Sequence, residues 1–212
     1  MTKNKPHLDV LFSSQNKHKL QEFEVLFANS PIIIQVPGHT LDVIEDGNTY
    51  FENSFLKAKA YYDHFKVPVF ADDSGLEIEA LPDELGVHTA NFGGDNLTSK
   101  ERCLKVLEKM AAIEGLEDKE ERRATFRCIL CFYLSPEEIY FFEGQLRGYI
   151  TQNYRDGGTG FGYDPIFVPE DDEAQHKTLA ELGEWKSLHS HRARACMEAK
   201  KFFSERFERV YK

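Results

Sequence analysis

Pro68-Val69-Phe70-Ala71-Asp72-Asp73-Ser74-Gly75 sets two adjacent carboxylates at the point where a short apolar run stops. The apolar residues read as a buried strand, and Gly75 marks a turn before Leu76-Glu77-Ile78-Glu79 resumes an extended pattern. In open α/β sheets ligands collect at the carboxyl ends of strands, so both acids stand where a site would form. A carboxylate pair there can hold Mg²⁺ and keep one oxygen to take a proton from water. The competing reading is a solvated turn, since Asp, Ser and Gly are ordinary turn residues.

Working outward, Leu8-Asp9-Val10-Leu11-Phe12-Ser13 reads as a first strand, broken by Ser14-Gln15-Asn16. From Lys17, apolar Leu20, Phe23, Leu26 and Phe27 recur at helical spacing. Ile32-Ile33-Ile34-Gln35-Val36 is a second strand, stopped by Pro37-Gly38. Thr49-Tyr50-Phe51-Glu52 and Thr98-Ser99-Lys100-Glu101 are capping boxes, opening helices to about His64 and about Ala112. The charged stretch from Glu114 to Arg123 reads as a surface connection. Two long strands follow, Ala124 to Leu134 and Ile139 to Ile150, joined by a hairpin-like turn. A glycine-rich loop spans Asp156 to Gly162, and one long helix is expected from about Leu188 to Tyr211. Strands and helices alternate at both ends around a central hairpin, which implies a mixed sheet.

The 212 residues fit one sizeable domain without a linker, spanning 1–212, or two small lobes sharing a sheet. A hydrophobic content of 41% with 17 Phe supports a proper core and excludes a disordered chain. A net charge of −10 excludes a nucleic-acid scaffold, yet leaves room for a free nucleotide held by a few lysines. No apolar run approaches transmembrane length and the N-terminus lacks a signal-peptide core, so the expected location is the cytoplasm. Cys128-Ile129-Leu130-Cys131 matches C-x-x-C only formally. Residues three apart on a strand point to opposite faces, so core packing is the expected role.

Four further clusters carry candidate chemistry. Ser14, Gln15, Asn16 and Lys19 lie where a strand gives way to a helix, whose N-terminus suits phosphate, although the Walker A frame is absent. Simple helix capping by Ser14 or Asn16 explains the same residues. Glu45 precedes a helix bearing Glu52, Asn53 and Lys57, where a surface ion pair is the plainer reading. In Gly157-Gly158-Thr159-Gly160-Phe161-Gly162-Tyr163-Asp164-Pro165, Phe161 or Tyr163 can stack on a base and Asp164 can accept from a ring N–H. Lys186, Ser190, His191 and Arg192 put cations near a helix start, against the dipole, which hints at an anionic or base-bearing ligand.

In this order the residues resemble the inosine triphosphate pyrophosphatase family, the dITP/XTP pyrophosphatases. Ser14-Gln15-Asn16-Lys17-His18-Lys19 stands where the family has Thr-Gly-Asn-x-x-Lys. Glu52-Asn53-Ser54-Phe55-Leu56-Lys57-Ala58 is similar to its Glu-Asn-Ala-x-x-Lys-Ala. Asp72-Asp73-Ser74-Gly75-Leu76, Phe161-Gly162-Tyr163-Asp164-Pro165 and Ser190-His191-Arg192 match outright. The resemblance implies an elongated α/β protein with a mixed sheet flanked by helices, two lobes with a cleft between them, and a homodimer. It implies hydrolysis of dITP, ITP or XTP to the monophosphate and pyrophosphate. Ser14, Gln15, Asn16, Lys19 and Lys57 would grip the triphosphate and Ser74 would touch the substrate. Glu45 and Asp73 would hold Mg²⁺, with Asp73 the proton acceptor and Asp72 beside it. Phe161 would stack on the base, with Gly162, Tyr163, Asp164, Lys186, His191 and Arg192 reading its edge. Two departures stand out: Gln15 replaces a glycine, and Asn91 replaces a basic residue, which removes one expected phosphate contact. A Maf-like pyrimidine nucleotide pyrophosphatase would lack the Phe161–Pro165 and Ser190–Arg192 motifs. A non-enzymatic nucleotide-binding module would bind without turnover.

Overall fold

The computed structural model describes residues 7–14, 16–94 and 96–210. Six strands form one mixed sheet in the order β2-β1-β3-β4-β5-β6. They are β1 (Leu8–Phe12), β2 (Ile32–Gln35), β3 (Val69–Ile78), β4 (Arg123–Ser135), β5 (Glu138–Ile150) and β6 (Phe167–Pro169). β1 is parallel to both neighbours, pairing Leu8 with Ile32 and Leu11 with Val69. β4 and β5 are joined across Pro136-Glu137, a connection short enough only for an antiparallel pair. β5 and β6 are antiparallel, with Ile150 opposite Phe167. The helices are α1 (Lys17–Leu26), α2 (Tyr50–Phe65), α3 (Ser99–Ala111), α4 (Gly183–His189) and α5 (His191–Val210). None is long and apolar enough to cross a membrane among the described residues.

The chain divides into two compact units. The first comprises Met1–Asp73, Cys128–Gly144 and Arg192–Lys212. Its strands are apolar on both faces because both faces are covered. Val10, Phe12, Phe70, Cys128, Leu130 and Phe132 pack with Phe23 of α1, with Phe27 at its C-cap, and with Ala195, Ala199 and Phe203 of α5. Their neighbours Leu11, Val69, Ala71, Cys131 and Tyr133 point the other way, onto Ala58 and Tyr61 of α2. Phe70 stacks on Phe12 and Phe132 at ring separations of 4.8 and 5.4 Å. Truncating so enclosed an aromatic costs about 3–5 kcal/mol. Cys128 and Cys131 fall on opposite faces, in different apolar clusters. All four cysteines are free and buried, so C-x-x-C here is core packing.

The second unit comprises Ser74–Arg127 and Gln145–His191. Leu76, Ile78, Ala124, Phe126, Leu146 and Ile150 face one core, filled out by Cys103, Val106 and Met110 of α3. Both capping boxes form, at Thr49 with Glu52 and at Thr98 with Glu101.

Three expectations need correction. β3 runs unbroken through Asp72-Asp73-Ser74-Gly75, so there is no turn at Gly75. The acids are part of a buried strand because cations on the covering helices neutralise them, as described below. The C-terminal helix is two helices: Ser190 is extended (φ −62°, ψ 162°), which ends α4 at His189 and starts α5 at His191. The charged stretch before β4 is not wholly superficial. Arg122 is buried, with Nε donating to the Ile150 carbonyl (2.6 Å) and Nη2 to that of Thr151 (2.7 Å).

Candidate functional site

In the first unit, strand alternation separates the two acids. Asp72 shares its face with Phe70 and turns toward α1 and α5, whereas Asp73 shares the Ala71 face and turns toward α2. Asp72 is wholly buried. Its Oδ2 accepts from Lys19 Nζ at 2.7 Å and lies 3.8 Å from Arg192 Nη2. Arg192, also buried, donates to Glu22 as well and lies over the Phe23 ring. Lys57 is buried too. Its ammonium pairs with Glu45 (2.7 Å) and donates to the Asp72 carbonyl oxygen (3.0 Å). The surface-pair reading of Lys57 therefore fails. Asn16 is the N-cap of α1, its Oδ1 accepting from the backbone N–H of His18 (3.1 Å) and Lys19 (3.2 Å). Ser14 Oγ accepts from the Asn16 N–H at 3.2 Å. Capping thus places Lys19 one turn into α1, within reach of β3. Gln15 lies outside the described residues.

Electrostatics drive the adjacent acids apart. Burial pushes Asp72 up, but Lys19, Arg192 and Lys57 outweigh it and hold the carboxyl at about 2. Burial pushes Asp73 up to about 6; Lys57 and Lys19 oppose this, while Asp72 and Glu45 add to it. Burial also pulls Lys57 down, but Asp72, Glu45 and Asp73 together raise it. One carboxylate is locked as an anion, and its neighbour is the one whose protonation changes near neutrality, a split typical of functional sites.

Among the described residues no group of three or more His, Cys, Asp or Glu side chains is arranged to hold a metal ion. Mg²⁺, however, commonly takes only one or two protein carboxylates and completes its shell with water and substrate phosphates. Asp73 and Glu45 fit that requirement: both are hard oxygen donors, and the negative charge of Glu45 is one cause of the raised Asp73 pKa.

The second unit holds a different cluster. Asp164 Oδ2 accepts from the Phe161 N–H (2.8 Å) and from Lys186 Nζ (2.7 Å), and all but 3% of the residue is buried. Lys186 lies 4.8 Å above the Phe161 ring, a cation–π contact. Asp164 therefore ties its own loop together. Gly160 adopts φ +83°, and a Cβ there would stand 2.5 Å from Asp164 Oδ2, so only glycine fits. Tyr163 is buried, its hydroxyl donating to the Thr89 carbonyl at 2.8 Å. This leaves Phe161, partly exposed, as the aromatic able to stack on a ligand. Gly162 is anchored through its carbonyl by the Cys103 thiol at 3.3 Å. His191 is buried and stacked on Phe126 at 4.8 Å. Ser74 is partly exposed on β3, and Asn91 is exposed at the end of a 3-10 turn.

Of the expected residues, Ser14, Asn16, Lys19, Glu45, Lys57, Asp72, Asp73 and Arg192 belong to the first unit. Phe161, Gly162, Tyr163, Asp164, Lys186 and His191 belong to the second. Sequence reasoning missed Glu22, which braces Arg192, and Thr89 and Cys103, which brace the aromatic loop. Glu22 lies three residues after Lys19, one helical turn along α1, and that spacing was the available signal.

Residues 10–202 match the model of the Ham1 family. The chain belongs to the Ham1 family. It is 38% identical over 194 residues to a dITP/XTP pyrophosphatase of Aquifex aeolicus, covering 89% of this chain and 93% of that protein. It is 34% identical over 206 residues to a dITP/XTP pyrophosphatase of Malacoplasma penetrans, covering 94% of this chain and all of the relative. Among solved structures, a HAM1 protein from Coxiella burnetii is similar with a TM-score of 0.80 and 32% identity, covering 93% of this chain and 99% of that one.

Proposed function

We propose that this chain is a nucleoside-triphosphate pyrophosphatase that clears deaminated purine nucleotides, taking dITP, ITP and XTP to the monophosphate and pyrophosphate. The observation that carries the reading is the split carboxylate pair: Asp73 held near 6 beside Asp72 held near 2, with Lys19, Lys57 and Arg192 grouped around them. A base poised near neutrality among buried cations is suited to water attack on a polyanion. Names carried by relatives at 34–38% identity point the same way.

Asp73 takes the proton of a water that attacks the α-phosphorus; the bond from that phosphorus to the bridging oxygen breaks, and pyrophosphate leaves. Lys19 and Lys57, with Ser14, Asn16 and the positive end of α1, bind the triphosphate and offset its charge. Asp73 and Glu45 supply the hard oxygen donors for Mg²⁺, which when bound neutralises phosphate charge and acidifies water. Asp72 keeps Lys19 and Arg192 in place. Phe161 stacks on the base, and the Lys186 ammonium, oriented by Asp164, donates to the 6-oxo group. Adenine presents an amino group there, which would leave the buried ammonium facing another donor. The protein works as a cytoplasmic homodimer, as the family resemblance implies; light scattering on the purified protein tests the assembly.

The deciding experiment offers the protein with Mg²⁺ to ITP, dITP, XTP, ATP and GTP, reading phosphate with and without added inorganic pyrophosphatase. Signal for ITP, dITP and XTP that requires the coupling enzyme is the expected result. Phosphate released without the coupling enzyme would mean γ-cleavage and overturn the proposed attack at the α-phosphorus. Omitting Mg²⁺ should abolish the signal; undiminished turnover with a chelator present would remove the metal from the proposal.

A further inference from the structure

Loop 36–48, which carries Glu45, is fastened along α2 in antiparallel order. Gly47 N–H donates to Asn53 Oδ1 (2.8 Å), Glu45 pairs with Lys57 (2.7 Å), and Leu41 N–H donates to the Tyr61 hydroxyl (3.0 Å). The last fastening, at the C-terminal turn of α2, is His39 against His64, Nε2 to Nε2 at 3.1 Å. The rings are nearly perpendicular (85°), their centroids 5.1 Å apart, and both pack on Phe65, at 5.1 and 4.7 Å.

We infer that His39 and His64 form a two-imidazole site for a borderline divalent transition-metal ion such as Zn²⁺, Ni²⁺ or Cu²⁺, which clasps the Glu45 loop to α2. Two nitrogens bound at about 2.0–2.1 Å stand roughly 2.9 Å apart as cis ligands of a square-planar ion and roughly 3.3 Å apart on a tetrahedral one. The observed 3.1 Å lies between these values. Imidazole suits these ions, whereas Mg²⁺ prefers oxygen and stays with the carboxylates. Both histidines are exposed, so water can complete the coordination shell, while Phe65 fixes the ring orientations from behind. The four cysteines are buried and do not compete. A plain hydrogen bond also accommodates the distance, one Nε2 donating to the other, and needs no ion.

The test titrates the full-length protein with Ni²⁺ by calorimetry, beside His39→Ala, His64→Ala and, as a control, His176→Ala. One saturable equivalent, weakened at least about tenfold by either of the first two changes and not by the third, is expected. Amide exchange across residues 40–48 should slow when Ni²⁺ is added to the parent protein and not to His39→Ala. Absence of a one-equivalent isotherm, or an isotherm that survives both His39→Ala and His64→Ala, overturns the site and leaves the hydrogen bond. Since both residues are exposed, each variant should keep the circular dichroism and Mg²⁺-supported turnover of the parent, which separates loss of the site from loss of the fold.

Discussion

The two polar clusters are built on opposite principles. In the first unit, full charges crowd around a buried strand: Asp72, Asp73, Lys19, Lys57, Arg192 and Glu22 perturb one another, and two adjacent carboxyls end about four pH units apart. In the second, the ion pair between Lys186 and Asp164 is joined by neutral donors, among them the Phe161 N–H, the Tyr163 hydroxyl and the Cys103 thiol. In the proposed reaction the first arrangement would tune reactivity, because moving any charge moves the others. The second fixes shape, because its bonds constrain where a ring can lie. Chemistry and recognition should therefore respond to different substitutions.

Asp73→Asn puts the first half of that contrast at greatest risk. It keeps the shape and removes the base, so turnover of ITP should fall about 10²–10⁴-fold while nucleotide binding persists. Equal loss of binding and turnover would mean that Asp73 serves binding, and the contrast would collapse. Arg192→Met comes next. It strands the wholly buried Asp72 with one fewer cation, and loss of one partner in a buried ion pair costs about 3–5 kcal/mol. Urea unfolding checks this; a change below about 1 kcal/mol would show that Lys19 alone suffices.

Lys186→Met addresses the second cluster. Losing a charged hydrogen bond of about 1.5–3 kcal/mol should lower kcat/KM for ITP by roughly 10- to 150-fold. The pH dependence of turnover should stay in place, because Lys186 is not among the charges that perturb Asp73. A shifted pH profile in this variant would couple the two clusters and break the comparison.

That profile is itself a prediction. As the proposed base, Asp73 must be ionised to accept a proton, so kcat/KM should fall toward acid by about tenfold per pH unit, with the limb at or below pH 6 because bound Mg²⁺ favours the carboxylate. Lys57 opposes the upward shift, so Lys57→Met should move this limb to higher pH. Stability has the opposite sense. A carboxyl whose folded pKa lies above its ordinary value of 3.8 binds protons more tightly when folded, so its contribution to stability declines as pH rises from about 4 to 6. Asp72, held below its ordinary value, contributes stability above pH 3.8 that is lost as pH falls toward 2. Denaturation midpoints between pH 3 and 7 report both trends.

The same contrast decides what could be read from the sequence. Doubly covered strands of the first unit are continuous apolar runs, as in Val69-Phe70-Ala71, and they stand out. Thr49 and Thr98 announce their helices because a capping box is local chemistry. The Asp-Asp-Ser-Gly stretch was misread as a turn for the converse reason. Nothing local shows that Lys19, 53 residues upstream, and Arg192, 120 residues downstream, will neutralise Asp72 within a strand. Tyr163 and Phe161 look alike in sequence; only the carbonyl of Thr89, 74 residues away, makes Tyr163 a buried strut, while Phe161 stays partly exposed. The break at Ser190 was hidden because no Pro or Gly marks it.

The smallest expected effect tests how finely the second cluster is set. Cys103 occupies the buried face of α3, and burial pushes its thiol up to about 12, so it is a neutral donor throughout the physiological range. Cys103→Ala removes the bond to the Gly162 carbonyl and a little packing, which should lower stability by about 1 kcal/mol. If the loop only has to exist, KM and kcat for ITP will both be unchanged. If its position matters to within tenths of an ångström, KM will rise while kcat and the acid limb of the pH profile stay fixed, since the thiol touches neither Asp73 nor its cations. A change in kcat alone would contradict the division of labour, because a shape-setting contact would then be acting on the chemical step.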